Sequence, residues 1–411
     1  MRNIMRKSLI TLGLFIIGYG WIINSNVIAV SEPVMLYDQV WKLVNSKYVD
    51  QSKNAQDWER KWRHKYDDKI QTNEDAYLAI NTMLASLDDP YTRFLDPKEF
   101  NEEKNSISGS LKGIGIQIGM KDGKLTVIAP IEDTPAERAG IMAGDIILEI
   151  NGKSTSSITV DKAADQIRGP EGTTVTLLIK RENQEPKSYT VQRANIRLKS
   201  ISQKVPENIK IPDEICYIRL SSFISRDAKT EFRDILTKNY YKKGFIIDLR
   251  ANPGGLLSNA IAISDMFLDS GDIVSTVDRN NYKETDRATK GVVTKRPVVI
   301  LINKGSASAS EIFSGAMKDN GRAVLVGEQS FGKGLVQEID KLNGGSGVNI
   351  TIQKYLTPSG TDIHKKGITP DVVVKMTEED IKNKNDVQLK KAIQVLQSLE
   401  RGSSVASYRR Y

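Results

Sequence analysis

The chain has 411 residues, of which 39% are hydrophobic and 27% charged, and carries a net charge of +8. That length exceeds what one hydrophobic core usually supports, so two or three domains are expected, and the ordinary composition excludes a generally disordered or fibrous chain. The basic residues are interspersed with acidic ones and form no basic arm, which argues against a nucleic-acid partner, while the single cysteine, Cys216, allows no internal disulfide and lies too far downstream for a lipoprotein.

Arg2, Arg6 and Lys7 precede an uncharged apolar stretch from Leu9 to Ile23, the pattern of an export signal that places the rest of the chain outside the cytoplasm. Val27 and Ala29 suit cleavage after Ala29, whereas Trp21, Ile22 and Ile23 suit an uncleaved membrane anchor, and the sequence leaves the two open for residues 1–30. Residues 31–103 read as a small helical domain, with Leu36, Val40 and Val44, then Ala76, Ile80, Met83, Leu84 and Leu87, at helical spacing. Pro90 closes it, since it lacks an N–H and disfavours helical geometry at Asp89.

Residues 104–193 change texture to short β-type runs, Ile114 to Ile118, Leu125 to Ile128, Asp145 to Ile150 and Val175 to Ile179, separated by glycine turns. One helix is predicted among them, Val160 to Arg168, with Val160, Ala163, Ala164 and Ile167 on one face. The segments Lys112-Gly113-Ile114-Gly115-Ile116, Pro135 to Ile141, Gly144-Asp145 and Ile150-Asn151-Gly152 together resemble a PDZ domain. Successive N–H groups of a glycine loop can hold a carboxylate while the next strand pairs with an extended peptide. Protein C-termini with apolar residues are therefore the expected partners. Taken alone, the same glycines need only make tight turns.

Strands and helices alternate in residues 194–376: strands at Ile215 to Leu220, Gly244 to Leu249, Val298 to Ile302 and Ala323 to Val326, helices at Ala228 to Leu236, Leu256 to Phe267 and Ser308 to Asp319. This is an α/β domain of catalytic type. Residues 377–411 hold one amphipathic helix, Asp386 to Leu399, and a basic end.

Three segments of this core carry candidate chemistry. Asn303 to Glu311 leaves a buried strand and enters a helix, where a nucleophilic Ser308 would have an open attack path and the Ala309 amide would face an oxyanion. Ser308 and Glu311 also spell a capping box, S-x-x-E, in which the serine merely satisfies helix amides. Gly327 to Gly334 nearly spells a phosphate-binding loop, but Gly334 stands where a magnesium-binding hydroxyl is needed. Its Lys333, flanked by Gly332 and Gly334, suits a lysine led inward. Gln337 would reach the Lys333 amine if the intervening chain were helical or turned back. Asp248 to Gly255 follows a strand, where α/β folds gather ligand loops, and Gly254 and Gly255 can expose amides there or simply make the turn.

Together these segments resemble the carboxyl-terminal processing peptidases, tail-specific serine peptidases. The resemblance implies a multidomain α+β chain with a helical amino-terminal domain, a PDZ domain and a ClpP- or crotonase-like protease core, and it brings no cofactor. It makes Ser308, in A-S-A-S-E, the nucleophile, Lys333, in F-G-K-G, the general base, and Gln337 their companion. The amides of Ala309 and of Gly254, or its neighbour Gly255, then form the oxyanion hole, and Asp88-Asp89-Pro90-Tyr91-Thr92 is a motif of that family. Arg168 corresponds to an arginine that couples the PDZ domain to the active site in some members; homodimerisation is also implied.

The alternatives are a PDZ scaffold without proteolysis, an esterase, and a Ser-His hydrolase using His364 near Asp362. Two histidines, His64 and His364, far apart and without an H-E-x-x-H pattern, give no zinc site. If Lys333 is the base it must be neutral, and at an ordinary lysine pKa only roughly one in a few thousand is neutral at pH 7, so burial has to disfavour the ammonium form.

Overall fold

The continuous apolar runs of the core become a buried parallel sheet, because a strand covered on both faces has no polar side to present. The computed structural model describes residues 32–409 except 108, 109, 122, 132, 133, 143, 182, 183, 198, 199 and 207, and the apolar amino-terminal segment with its export expectation lies outside the described residues. Among the described residues no helix is long and apolar enough to cross a membrane.

Three helices open the described chain, α1 (Glu32–Lys47), α2 (Gln56–Trp62) and α3 (Asn73–Ala85), followed by the short strand β1 (Arg93–Leu95) and helix α4 (Pro97–Ile107). The apolar stripes of α1 and α3 meet in a core of Tyr37, Val40, Trp41, Val44, Ile80 and Met83. That core continues onto Leu342, Val348 and Ile350, so the helical region is seated on a sheet formed late in the chain.

The β-rich module forms one antiparallel sheet of β2 (Ile116–Lys121), β3 (Lys124–Pro130), β4 (Ile146–Ile150), β5 (Thr174–Lys180) and β6 (Lys187–Gln192), in that order. Helix α5 (Val160–Ile167) closes it, burying Ala163 and Ile167 against Ile114, Leu125, Val127 and Leu177. Strand β2 ends the sheet order, pairing only with β3 among the described residues.

The core sheet comprises β7 (Ile201–Ser202), β8 (Ile215–Leu220), β9 (Gly244–Asp248), β12 (Val298–Ile302), β13 (Val324–Gly327) and β16 (Val372–Val373), ordered β7-β8-β9-β12-β13-β16 and parallel except for β7. Every residue of β9 and β12 is buried. Period-two alternation sends Ile218, Phe245, Ile247, Ile300 and Leu325 toward helices α6 (Ala228–Lys238), α7 (Leu257–Asp265) and α8 (Ala309–Asp319). Tyr217, Ile246, Val299, Leu301 and Val326 face the other way and are covered by Leu389, Ala392, Ile393 and Leu396 of α9 (Val387–Glu400). The last helix is thus the second layer of the parallel-sheet core.

Between these strands the chain builds a further antiparallel sheet, ordered β1-β15-β10-β11 with β14 on β15, from β10 (Asp272–Asp278), β11 (Lys283–Arg287), β14 (Leu335–Lys341) and β15 (Gly347–Leu356). The sequence reading had no strands here.

Candidate active site

The loops that leave β9, β12 and β13 all emerge at the carboxyl ends of parallel strands, the edge where open α/β sheets place ligand loops. Hydrogen bonds lock the first two together: Ser306 Oγ donates to the Leu249 carbonyl at 2.9 Å, and the Asn252 carbonyl accepts from the Ala307 N–H and the Ser310 hydroxyl, both at 3.0 Å. The approach is close enough to exclude a side chain, because a Cβ on Gly254 would lie 2.6 Å from the Ala307 carbonyl oxygen and 2.8 Å from the Ala309 nitrogen.

At the start of α8, Ser308 has φ 54° and ψ −115°, a left-handed turn that costs a non-glycine residue on the order of 1–3 kcal/mol. The Ser308 N–H donates to Glu311 Oε2 at 2.8 Å and the Glu311 N–H to the Ser308 carbonyl at 2.8 Å, so Ser308 and Glu311 form the capping box that their spacing predicts. Glu311 is fully buried and compensated on all sides. Its Oε2 also accepts the Lys333 N–H at 2.9 Å, and its Oε1 accepts the Gly332 N–H at 2.7 Å and the Ser330 hydroxyl at 2.6 Å. One carboxylate therefore fixes both the serine turn and the lysine loop, a role the sequence reading missed because it saw Glu311 only as a cap.

Ser308 and Lys333 line the same hollow, of about 570 Å³, with Gly254, Gly255, Ala309 and Gln337. The flanking glycines of Lys333 act as expected: a Cβ on Gly332 would meet the Gly367 nitrogen at 2.9 Å, and one on Gly334 the His364 nitrogen at 2.9 Å. Burial pushes the Lys333 amine below the ordinary lysine value, against the opposing pull of the Glu103 and Asp89 carboxylates and with help from Arg93. The amine lies over the Tyr91 ring, 4.6 Å from its centroid, and no hydrogen bond joins it to Ser308 or Gln337 among the described residues.

Tyr91 is set in place by Asp89, which accepts the Tyr91 N–H at 2.9 Å and the Thr92 and Thr351 hydroxyls at 2.7 Å each. Residues 335–341 form strand β14, and in this arrangement the Gln337 amide, which lines the hollow with Lys333, is directed to Thr351 Oγ1 at 3.5 Å. His364 is not in the hollow. Asp362 accepts its backbone N–H at 2.8 Å, and His364 Nδ1 is buried without a partner, which leaves the Ser-His-Asp alternative without its relay. His64 is exposed and pairs with Asp67 at 2.8 Å.

The oxyanion donors can be sorted by where the amides already point. The Gly254 N–H donates to Asn252 Oδ1 at 2.9 Å, inside a loop anchored by Asn252 Nδ2 on the Leu220 carbonyl at 2.7 Å. In this arrangement the Gly254 amide is engaged within its own loop, and Gly255 is the other donor named with it. The Gly255 and Ala309 amides carry no such bond among the described residues and border the hollow.

A second hollow, of about 480 Å³, lies between β2 and α5 and is lined by Lys112, Gly113, Ile114, Gly115 and Ile116, with Val160, Ala164, Ile167 and Arg168 across from them. Gly115 has φ 83° and could not carry a Cβ, which would fall 2.3 Å from that of Thr134. The free edge of β2 borders an apolar groove, the arrangement that receives an extended peptide. Arg168, at the end of α5, pairs with Glu102 of α4 at 3.4 Å, and Lys98 of α4 pairs with Asp165 at 2.6 Å. The next residue, Glu103, accepts from Arg93 Nη2 at 2.5 Å and lines the Ser308 hollow.

An α/β core with a peptide-gripping module on its flank defines a PDZ-bearing serine peptidase. Residues 214–374 match peptidase family S41 and residues 126–181 a PDZ domain. The chain is 40% identical over 380 residues to the carboxyl-terminal-processing protease of Synechocystis sp., covering 90% of this chain and 88% of that protein. It is 43% identical over 360 residues to the carboxyl-terminal-processing protease of Picosynechococcus sp., with 84% of each covered. Among solved structures it is similar to the photosystem II D1 C-terminal processing protease, with a TM-score of 0.59 and 30% identity over 92% of this chain and 99% of that one. The chain belongs to the carboxyl-terminal-processing proteases.

Proposed function

We propose that the protein is an extracytoplasmic endopeptidase that holds the apolar C-terminal tail of an exported protein in its PDZ groove and cleaves the chain with Ser308 and Lys333. The observation that carries this reading is the strained Ser308 turn bordering a hollow shared with a buried lysine, both loops held by Glu311. Neutral Lys333 takes the Ser308 proton, the alkoxide attacks the peptide carbonyl, and the oxyanion is met by the amides of Ala309 and Gly255. The Lys333 ammonium then protonates the leaving amine, and water releases the acyl group from Ser308.

For the first proton transfer the Lys333 side chain has to leave the Tyr91 ring and turn toward Ser308, so the described arrangement is a resting one. Arg168 and α4 are the contact through which PDZ occupancy would act on it: Glu102 faces Arg168, and Glu103 faces Arg93 and the hollow. The amino-terminal apolar segment supplies export and, if retained, membrane attachment; a homodimer is part of the same reading.

Cleavage of an unfolded substrate by wild type, Ser308→Ala and Lys333→Ala is the direct test. Turnover by Lys333→Ala would refute the Ser-Lys mechanism, and turnover by Ser308→Ala the nucleophile. Arg168→Ala should abolish stimulation by a PDZ-binding peptide; unchanged stimulation removes Arg168 from the coupling.

A further inference from the structure

Strand β14 pairs with β15 alone among the described residues, so its outer edge is open along its length. At its start, two residues after Lys333, Leu335, Val336 and Gln337 line the catalytic hollow. Ile339 lines that hollow and also a neighbouring one of about 850 Å³, where Lys341 ends the strand. The segment after β8 runs the same way: Ser222 and Ile224 border the catalytic hollow, and Arg226 borders the neighbouring one. Two walls thus lead continuously from Ser308 into the second hollow.

The charges there are one-sided. Lys341, Arg226 and, from α4, Lys104 line the second hollow, and no carboxylate does. All three are exposed, and none has an ion pair among the described residues. The acidic residues of β14 lie on its other face, where Lys47 of α1 binds Glu338 at 2.9 Å and Asp340 at 2.8 Å. The strand alternates its side chains, so its negative charges are neutralised against α1 while Lys341 stands with Ile339 on the groove side. Pro97 and Phe100 of α4 give the hollow an apolar wall beside its cations.

We propose that this hollow is a distal substrate subsite for an acidic side chain of the polypeptide being cleaved, which lies along the open edge of β14. The assignment rests on the peptidase reading of Ser308. From Leu335 to Lys341 an extended strand covers about 20 Å, so a partner strand of equal rise presents its Asp or Glu roughly five to seven residues from the scissile bond. The cations attract it at short range in partly screened surroundings.

The experiment uses the full-length enzyme and a set of peptides sharing one cleavage site and one apolar C-terminus, with a single Glu moved position by position to either side of the site. A rise in kcat/KM of about threefold or more is expected when the Glu falls within that distance on one side, carried by KM and reduced by added salt. In Lys341→Glu and Lys104→Glu enzymes, the ratio of kcat/KM for the Glu peptide to that for its Lys counterpart should invert. A flat scan, or a wild-type ratio in both variants, overturns the subsite while Ser308-dependent cleavage leaves the peptidase reading standing. Cleavage that survives Ser308→Ala would overturn that reading instead.

Discussion

The backbone N–H groups of Ser308 and Lys333 are bridged by a single oxygen, Glu311 Oε2, at 2.8 and 2.9 Å. The serine turn and the lysine loop are twenty-five positions apart in sequence, yet a buried carboxylate gives them a common reference point. Misplacing reacting groups by even 1 Å can cost on the order of 10²-fold in rate, so in the proposed Ser308–Lys333 mechanism that reference is part of the chemistry.

Glu311→Gln should therefore lower kcat strongly, by roughly 10²-fold, and lower the urea midpoint as well. The amide NH₂ cannot accept, and each buried N–H it orphans costs about 1–3 kcal/mol. Steady-state kinetics beside equilibrium unfolding checks this; wild-type kcat in Glu311→Gln would contradict it.

The acid limb of the kcat/KM profile should report Lys333. In the proposed mechanism the neutral amine is the reactive form, and burial favours it, so activity should rise with pH around a midpoint below the ordinary lysine value. The Glu103 carboxylate favours the ammonium form. Glu103→Gln should move the acid limb to lower pH, and a shift upward would show that the carboxylate acts in some other way.

Gly254→Ala should be nearly inactive. The new Cβ meets the backbone on both sides of Ser308 and must also adopt φ 100°, so the loops separate and the Ala309 and Gly255 amides no longer converge. Loss of one oxyanion donor typically costs about 10²–10³-fold in kcat. Retained activity in a folded Gly254→Ala enzyme would refute the close approach described above.

Asp386→Ala should loosen α9 from the sheet. Arg250 donates to Asp386 at 2.8 and 2.7 Å while also holding Asp248, so the substitution strands part of a buried guanidinium at a cost of about 1–3 kcal/mol, measurable by urea unfolding. The same cluster has a pH signature. Burial alone would raise the Asp248 carboxyl, but the hydrogen bonds and charge of Arg250, with the charge of Arg219, outweigh it and hold the group below the usual carboxylate range. Its contribution to stability is present above the unfolded-state carboxylate pKa and disappears as pH falls through the lowered folded value. Asp248→Asn should accordingly flatten the loss of stability in acid.

Legibility followed apolar periodicity. Val298–Ile302 and Gly244–Asp248 are wholly buried, and α1 and α3 keep helical spacing, so their residue types alone disclose them. Lys283–Arg287, a strand of five polar residues, and Leu335–Lys341, with acids on one face and an exposed edge, owe their form to pairing with distant partners. Side-chain pattern carries little of that information, because strand propensity depends on the neighbours across the sheet.

The sequence by itself determined which residues were eligible for the chemistry: a serine between a buried strand and a helix, a lysine between two glycines, an amide-exposing Gly254-Gly255 pair and a glycine loop before an apolar strand. Only the tertiary structure decided where they point. It put the Lys333 amine over Tyr91, turned Gln337 toward Thr351, engaged the Gly254 amide with Asn252 while leaving that of Gly255 free among the described residues, and made Glu311 the common anchor. Composition and spacing specify local backbone preference and burial, whereas hydrogen-bond partners are chosen among residues that the folded chain brings together, and that choice is made by packing.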